Sequence, residues 1–193
     1  LAKLGYEVTI YEKHEIPGGV LAYGIPEYRL PLDVLAREIE TIKRVGVKIN
    51  TNVEIGKDVS FQNLRDQHDS IFISSGTNVS LLAGIPGEDL VGVHPGLDFL
   101  RQQDDFTQED MNGVIAVIGG GNTAIDAARV SLRKGAKEVH MFYRRTRKDM
   151  PAHPREIDET LEEGIFLHEL WEPLEILGTD RRASCRERVF RTV

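Results

Sequence analysis

Gly113-Val114-Ile115-Ala116-Val117-Ile118-Gly119-Gly120-Gly121-Asn122-Thr123-Ala124 is the stretch that decides the fold of this chain. Residues 113–118 are an apolar, β-rich run and read as a strand, and residues 123–134 carry helical composition. Between them lies G-x-G-x-x-A. Strand, glycine turn and helix together turn a common glycine pattern into a dinucleotide-binding candidate. Gly119 permits the tight turn, Gly121 lets the backbone approach a pyrophosphate, and Ala124 keeps helix and strand close. The helix N-terminus then offers unpaired N–H groups and a partial positive charge to the phosphates. A glycine-rich turn without a ligand is the bland alternative, which the flanking elements disfavour.

The next strand narrows the cofactor. Glu138-Val139-His140-Met141-Phe142-Tyr143 alternates and is followed by Arg144-Arg145-Thr146-Arg147-Lys148. An NAD site usually places an acid near this point for the ribose 2′-OH, whereas NADP sites place arginine there for the 2′-phosphate. Two arginines and no acid point to NADPH, because a planar guanidinium suits a phosphate and the pairing is charge-assisted. A solvated basic turn is the alternative reading.

Working outward, residues 6–11 read as a strand ending in Glu12-Lys13, preceded by the last turn of a helix closed by Gly5. Residues 17–31 form a Gly/Pro-rich loop. Residues 32–45 have helical spacing at Leu35, Ile39, Ile42 and Val45, with Pro31 at the start and Gly46 at the end. A short strand at 47–49 follows, then a helix capped by Ser60 and running through Gln67. Residues 69–74 read as a buried strand, and 78–113 as a connector with one short helix near Leu97. After the glycine-motif unit, residues 154–163 are helical and 166–176 give one or two strands. Alternating strands and helices predict an α/β fold with a parallel sheet, built as two Rossmann-like dinucleotide units with the second inserted after the first. Residues 5–12 and 135–144 parallel one another: helix-ending glycine, strand, charged residue. The first ends in an acid, which fits the adenosine ribose of FAD; the second ends in arginine, which fits NADP.

Composition sets bounds. The chain has 193 residues, a formal charge of −7 and a single cysteine, Cys185. The net charge disfavours nucleic acid, since the arginines are too local to form a broad basic face. No apolar run approaches membrane-spanning length and no signal peptide is visible. One cysteine builds neither a disulfide framework nor a metal site nor a redox dithiol, so disulfide-reducing chemistry is disfavoured and a reducing, cytoplasmic compartment is expected. Residues 180–193 hold five arginines against two acids and break composition abruptly. They read as translated adapter sequence, foreign to the fold or disordered; a basic tail that binds something is the alternative.

The run Tyr11-Glu12-Lys13, then Gly18-Gly19-Val20-Leu21-Ala22-Tyr23-Gly24-Ile25-Pro26-Glu27-Tyr28-Arg29-Leu30-Pro31, resembles the FAD domain of the small subunit of NADPH-dependent glutamate synthase. Relatives of that family include dihydropyrimidine dehydrogenase and NADPH:ferredoxin oxidoreductase subunits of anaerobes. Residues 119–129 and 143–151 resemble the same family's NADPH domain, and the likeness covers about residues 1–178. It implies an architecture like that of the pyridine nucleotide-disulfide oxidoreductases. Glu12 would bond the adenosine ribose of FAD with Lys13 beside it, and Gly18, Gly19 and Val20 would pass close to the flavin. Arg29 would sit near the FAD phosphates or flavin, and the backbone of Val53 would meet the adenine. On the other side Gly120, Asn122 and Thr123, with Gly119 and Gly121, would hold the NADPH pyrophosphate. Arg144, Arg145 and Lys148 would hold the 2′-phosphate.

The resemblance also implies absences. The family's first FAD strand with its phosphate turn, its final flavin segment and its iron–sulfur domain have no counterpart here, so the chain is expected to be an internal piece of a longer polypeptide. It divides into residues 1–112, a partial FAD unit with connector; 113–179, an NADPH unit incomplete at its C-terminal end; and the tail. The implied activity is hydride transfer from NADPH to FAD, with electrons passed on to iron–sulfur centres in the missing part or a partner. That partner would be a large catalytic subunit or a ferredoxin-like acceptor. No side chain is named as a catalytic acid or base, because the cofactors carry the chemistry; Asp126 is expected to bond locally. A nucleotide-binding fragment without activity and a two-electron flavoprotein are the other classes.

Overall fold

The computed structural model describes residues 1–179 together with the strands Arg182–Ser184 and Phe190–Thr192. The expectation that residues 180–193 stand apart from the fold lies mostly outside the described residues, as does Cys185. The chain forms two compact units, Leu1–Asn78 and Val79–Val193.

In the first unit a 3-10 turn, Ala2–Leu4, is closed by Gly5 at φ 90°, a left-handed conformation that glycine adopts without a Cβ penalty. Then come β1 (Thr9–Tyr11), α1 (Val20–Tyr23), α2 (Leu32–Arg44), β2 (Lys48–Asn50) and α3 (Phe61–Gln67). β1 and β2 pair in parallel, with Ile10 opposite Ile49. Pro31 and Gly46 bracket α2 as expected. Ser60 caps α3 as its sequence required, its Oγ accepting the Asn63 N–H at 3.1 Å.

Two readings of this unit need correction. The loop at 17–31 contains α1, which opens at Gly18 and Gly19, both at positive φ. Residues 69–74 are not a strand here. Phe72 is 88% exposed and Ile73 71%. Their apolar content signals burial, but a parallel strand needs a neighbour to pair with, and the sheet of this unit has only two described strands, β1 and β2.

The second unit begins with three short elements in the connector: α4 (Gly96–Arg101), a 3-10 turn (Gln103–Asp105) and α5 (Gln108–Met111). Only the first was expected. α5 is held by a capping box in which the Asp110 N–H donates to Thr107 Oγ1 and the Thr107 N–H donates to Asp110 Oδ2. β3 (Val114–Ile118), α6 (Asn122–Arg133), β4 (Glu138–Tyr143), a 3-10 turn (Arg147–Asp149), α7 (Pro154–Glu162) and β5 (Phe166–Glu169) complete a parallel sheet in the order β3-β4-β5. β6 (Trp171–Pro173) and β7 (Leu177–Thr179) follow, pairing antiparallel with β9 (Phe190–Thr192) and β8 (Arg182–Ser184) respectively.

α6 is the centre of this unit. Ile125 and Ala128 pack on Val139 and Met141 of β4 and on Ile157 of α7, while Ala127 and Val130 pack on Phe99, Leu100 and Met111 from the connector. The run from Ile125 to Ser131 is buried all round, which leaves Asp126 and Arg129 inside. A buried guanidinium is tolerated only when paired. Arg129 donates to Glu163 Oε1 from Nη2 at 2.6 Å and from Nε at 3.1 Å, and to Glu159 at 3.3 Å, while Arg133 donates to both Glu163 oxygens at 2.8 Å.

The Arg133 hydrogen bonds first, then those of Arg129, pull the Glu163 carboxyl down to about 2 from its ordinary value of 4.5. A carboxylate whose folded pKa is depressed stabilises the fold above its unfolded value and loses that contribution as pH falls toward the folded one. The melting temperature should therefore drop between pH 4.5 and 2, and Glu163→Gln should cost about 2 kcal/mol at neutral pH and flatten that drop. An unchanged melting temperature in the variant at pH 7 would show that the network contributes nothing.

The opposite face of the sheet carries stacked rings. Phe142 lies 4.6 Å from His168 and His140 lies 4.8 Å from Phe166. His140 Nδ1 and His168 Nε2 are 2.9 Å apart. Among the described residues no helix is long and apolar enough to cross a membrane.

Candidate functional site

In the second unit the glycine turn and the basic loop are built against each other. β3 ends at Ile118, and Gly119 turns the chain at φ 135° while its N–H donates to the Phe142 carbonyl at 3.0 Å. A Cβ on Gly119 would sit 3.3 Å from the Ala124 methyl, so the close approach of turn and helix requires both small residues.

Gly120 is the crowded position. A Cβ there would lie 2.7 Å from the Tyr143 ring and 3.1 Å from Met150. Gly121, by contrast, has only Pro151 at 3.9 Å, so protein atoms do not dictate a glycine at the mouth of α6. The absence of a side chain there is what a closely approaching ligand requires. Sequence reasoning gave the need for close approach to Gly121 and missed that Gly120 serves the packing of Tyr143.

The basic loop closes back onto this turn. The Ala152 N–H donates to the Gly120 carbonyl at 3.2 Å, and the His153 N–H donates to Asn122 Oδ1 at 3.3 Å. The Asn122 side chain thus binds the returning chain. Thr123 is exposed at the first turn of α6, with its methyl 3.3 Å from where a Gly96 Cβ would be.

The four cations of the loop divide unequally. Arg147 is paired with Asp158. Arg144, Arg145 and Lys148 are exposed, and among the described residues none of the three has a side-chain hydrogen bond or ion pair. A cavity of about 450 Å³, lined by Arg147, Lys148, Met150, Pro154, Ile157 and Asp158, lies beside them. Three exposed cations without a side-chain hydrogen bond or ion pair among the described residues, next to a glycine turn and a helix N-terminus, can hold a dinucleotide bearing an extra phosphate.

The first unit gathers most of its expected residues at the end of β1. The Glu12 carboxylate accepts the His14 N–H at 2.9 Å through Oε1, leaving Oε2 for another donor. The Val53 N–H donates to the Glu12 carbonyl at 2.9 Å, which brings the two together but commits that N–H to the protein. Lys13 pairs with Glu54 at 3.3 Å and is therefore turned to the 50s loop. The Ile16 N–H donates to the Tyr23 hydroxyl at 2.8 Å, which draws α1, and with it Gly18, Gly19 and Val20, to the same region. Gly18 packs on α2, where a Cβ would stand 3.0 Å from Leu35. Arg29 follows α1, its guanidinium 5.6 Å from the Tyr28 ring.

Comparison with known proteins places this geometry. The family model described as pyridine nucleotide-disulphide oxidoreductase matches residues 1–169. The chain is 47% identical over 181 residues to the NADP(+)-dependent formate dehydrogenase subunit beta of Moorella thermoacetica, covering 92% of this chain and 26% of that protein. It is 34% identical over 191 residues to the glutamate synthase [NADPH] small chain of Halomonas elongata, covering 94% of this chain and 40% of that one. Among solved structures, Mycobacterium tuberculosis FprA in complex with NADPH matches with a TM-score of 0.77 at 18% identity, covering 91% of this chain and 55% of that chain, which establishes a shared fold. This chain therefore spans about a quarter of the length of the first relative, two fifths of the second and just over half of the FprA chain.

Proposed function

The chain belongs to the pyridine nucleotide-disulphide oxidoreductase family, and from that premise we propose that it is the nucleotide-binding part of an NADPH-dependent flavoprotein of the glutamate synthase small-chain type. The three exposed cations Arg144, Arg145 and Lys148 carry this reading, because a 2′-phosphate is the feature that separates NADPH from NADH. The donor set fits. Residues 119–123 supply an open backbone turn at a helix N-terminus, and Gly121 leaves room that no protein atom fills.

On the FAD side, Glu12 keeps one carboxylate oxygen for a ribose hydroxyl. Gly18 and Gly19 present backbone without side chains beside α1. When bound, NADPH would supply a hydride, that is two electrons and a proton, which FAD would take up and pass on as single electrons. The task of this chain's residues is to bind and orient. The relatives named as a formate dehydrogenase beta subunit and a glutamate synthase small chain support a companion subunit, and on the present reading it would take up the electrons through iron–sulfur centres or be a ferredoxin-like protein.

A polypeptide carrying this chain at the full length of those relatives, loaded with FAD under anaerobic conditions, should lose its flavin absorbance on addition of NADPH. It should then reduce a one-electron viologen dye. Flavin that stays oxidised in the presence of excess NADPH would overturn the proposal.

A further inference from the structure

The loop that presents the three cations also contains an acid. Asp149 follows Lys148 directly, exposed and within the basic run. If charge alone governed this site, a carboxylate there would only weaken the attraction for a phosphate. Its hydrogen bonds give it another task. Asp149 Oδ2 accepts from the Thr146 hydroxyl at 2.6 Å and from the Thr146 N–H at 3.2 Å, while the Asp149 N–H donates to the Thr146 carbonyl at 2.9 Å. The Tyr143 hydroxyl donates to the Asp149 carbonyl at 2.8 Å, tying the same residue to the ring that packs on Gly120. On the far side the Arg147 N–H donates to the Glu169 carboxylate, and the Leu170 N–H donates to the Arg145 carbonyl at 3.2 Å. The bonds from Thr146, led by its hydroxyl, and to a lesser extent the charge of Arg145 hold the Asp149 carboxyl below the usual carboxylate range.

We propose that Asp149 is a positioning residue that sets the preference for NADPH over NADH. Locked onto Thr146, it folds residues 144–149 so that Arg144, Arg145 and Lys148 are presented together before any phosphate arrives. Ordering the loop in advance removes that entropic cost from binding. The inference rests on the 2′-phosphate reading above and adds a residue that touches neither phosphate nor nicotinamide.

The test is titration of the 193-residue chain with NADPH and with NADH at fixed ionic strength. Asp149→Ala should weaken NADPH by about tenfold, as expected for loss of a capping interaction, and leave NADH within about twofold. Asp149→Asn removes the charge but keeps an acceptor for Thr146, so its NADPH affinity should equal or exceed that of the parent. Thr146→Val should behave as Asp149→Ala, and Thr146→Ser as the parent; the Thr146 pair decides the matter if Asp149→Ala does not fold. Faster amide hydrogen exchange at residues 146–150, with a melting temperature lowered by no more than a few degrees, is expected in Asp149→Ala. Tighter NADPH binding in both Asp149 variants would show that the carboxylate is only a charge. Equal weakening of both nucleotides would show a general structural role, and unchanged NADPH affinity in Asp149→Ala would show no role. Each of these overturns the proposal while leaving the phosphate site standing. A parent chain without preference for NADPH would overturn both.

Discussion

Arg144→Glu combined with Arg145→Ala should weaken NADPH binding by at least about tenfold, since one charge-assisted hydrogen bond is worth roughly 1.5–3 kcal/mol and 1.4 kcal/mol is a factor of ten. NADH should be affected little. Both arginines are exposed and have no side-chain hydrogen bond or ion pair among the described residues, so their removal breaks neither kind of bond there. The glutamate would moreover stand where an NAD site carries its acid, able to accept from the ribose 2′-OH. The parent's preference for NADPH should shrink as salt rises, because exposed cations are screened within a Debye length. Parallel titration of parent and variant with the two nucleotides reads all of this. Equal loss for both would mean that the arginines serve the loop and not the phosphate.

What the sequence revealed of this site divides along the range of the interactions. Local signals were legible. Ser60 and its helix Phe61–Gln67, Pro31 and Gly46 around Leu32–Arg44, and the alternating strand Glu138–Tyr143 stand where their residues put them. The glycine turn was legible for the same reason, since strand, turn and helix are adjacent in the chain. The cationic loop could be read as charge.

Three features could not be read. Gly120 is explained by Tyr143, Asn122 by the N–H of His153, and Arg147 by Asp158, and each pair is brought together by folding across 11 to 31 residues. Nor could sequence tell which of four cations would be spent on an internal acid. The Thr146–Asp149 box has its own local signature, a threonine followed three residues later by an acid. It was overshadowed by the arginines around it. The failed strand at 69–74 is the mirror case. Its residues are apolar enough for a core, but a parallel strand is defined by its neighbour, and pairing is not a local property.

That unpaired segment carries the second large expectation, that the 193-residue chain will purify without yellow colour and will self-associate. Residues 71–82 hold Phe72 at 88% exposure, Val79 at 86% and Leu81 at 95%, with Ile73 and Leu82 also exposed. Exposed apolar side chains of this size, Phe72 and Ile73 in the first unit and Val79, Leu81 and Leu82 in the second, offer surface for self-association. Beside it in the sequence the first unit has a sheet of two described strands, and a two-stranded sheet is marginal without further strands or a covering layer. Glu12, Gly18 and Gly19 can offer a ribose contact and a bare backbone, but a flavin held by so small a platform would have to organise the unit as it binds, which lowers its affinity. The second unit, with its buried α6 and three-stranded parallel sheet, does not share this difficulty and should bind NADPH in the same preparation. Light scattering should show association that falls when Phe72 and Leu81 are both replaced by glutamate, with NADPH affinity unchanged. A monomeric preparation whose absorbance corresponds to about one FAD per chain would overturn this expectation, and would mean that Glu12, Gly18, Gly19 and their neighbours hold the flavin on two strands alone.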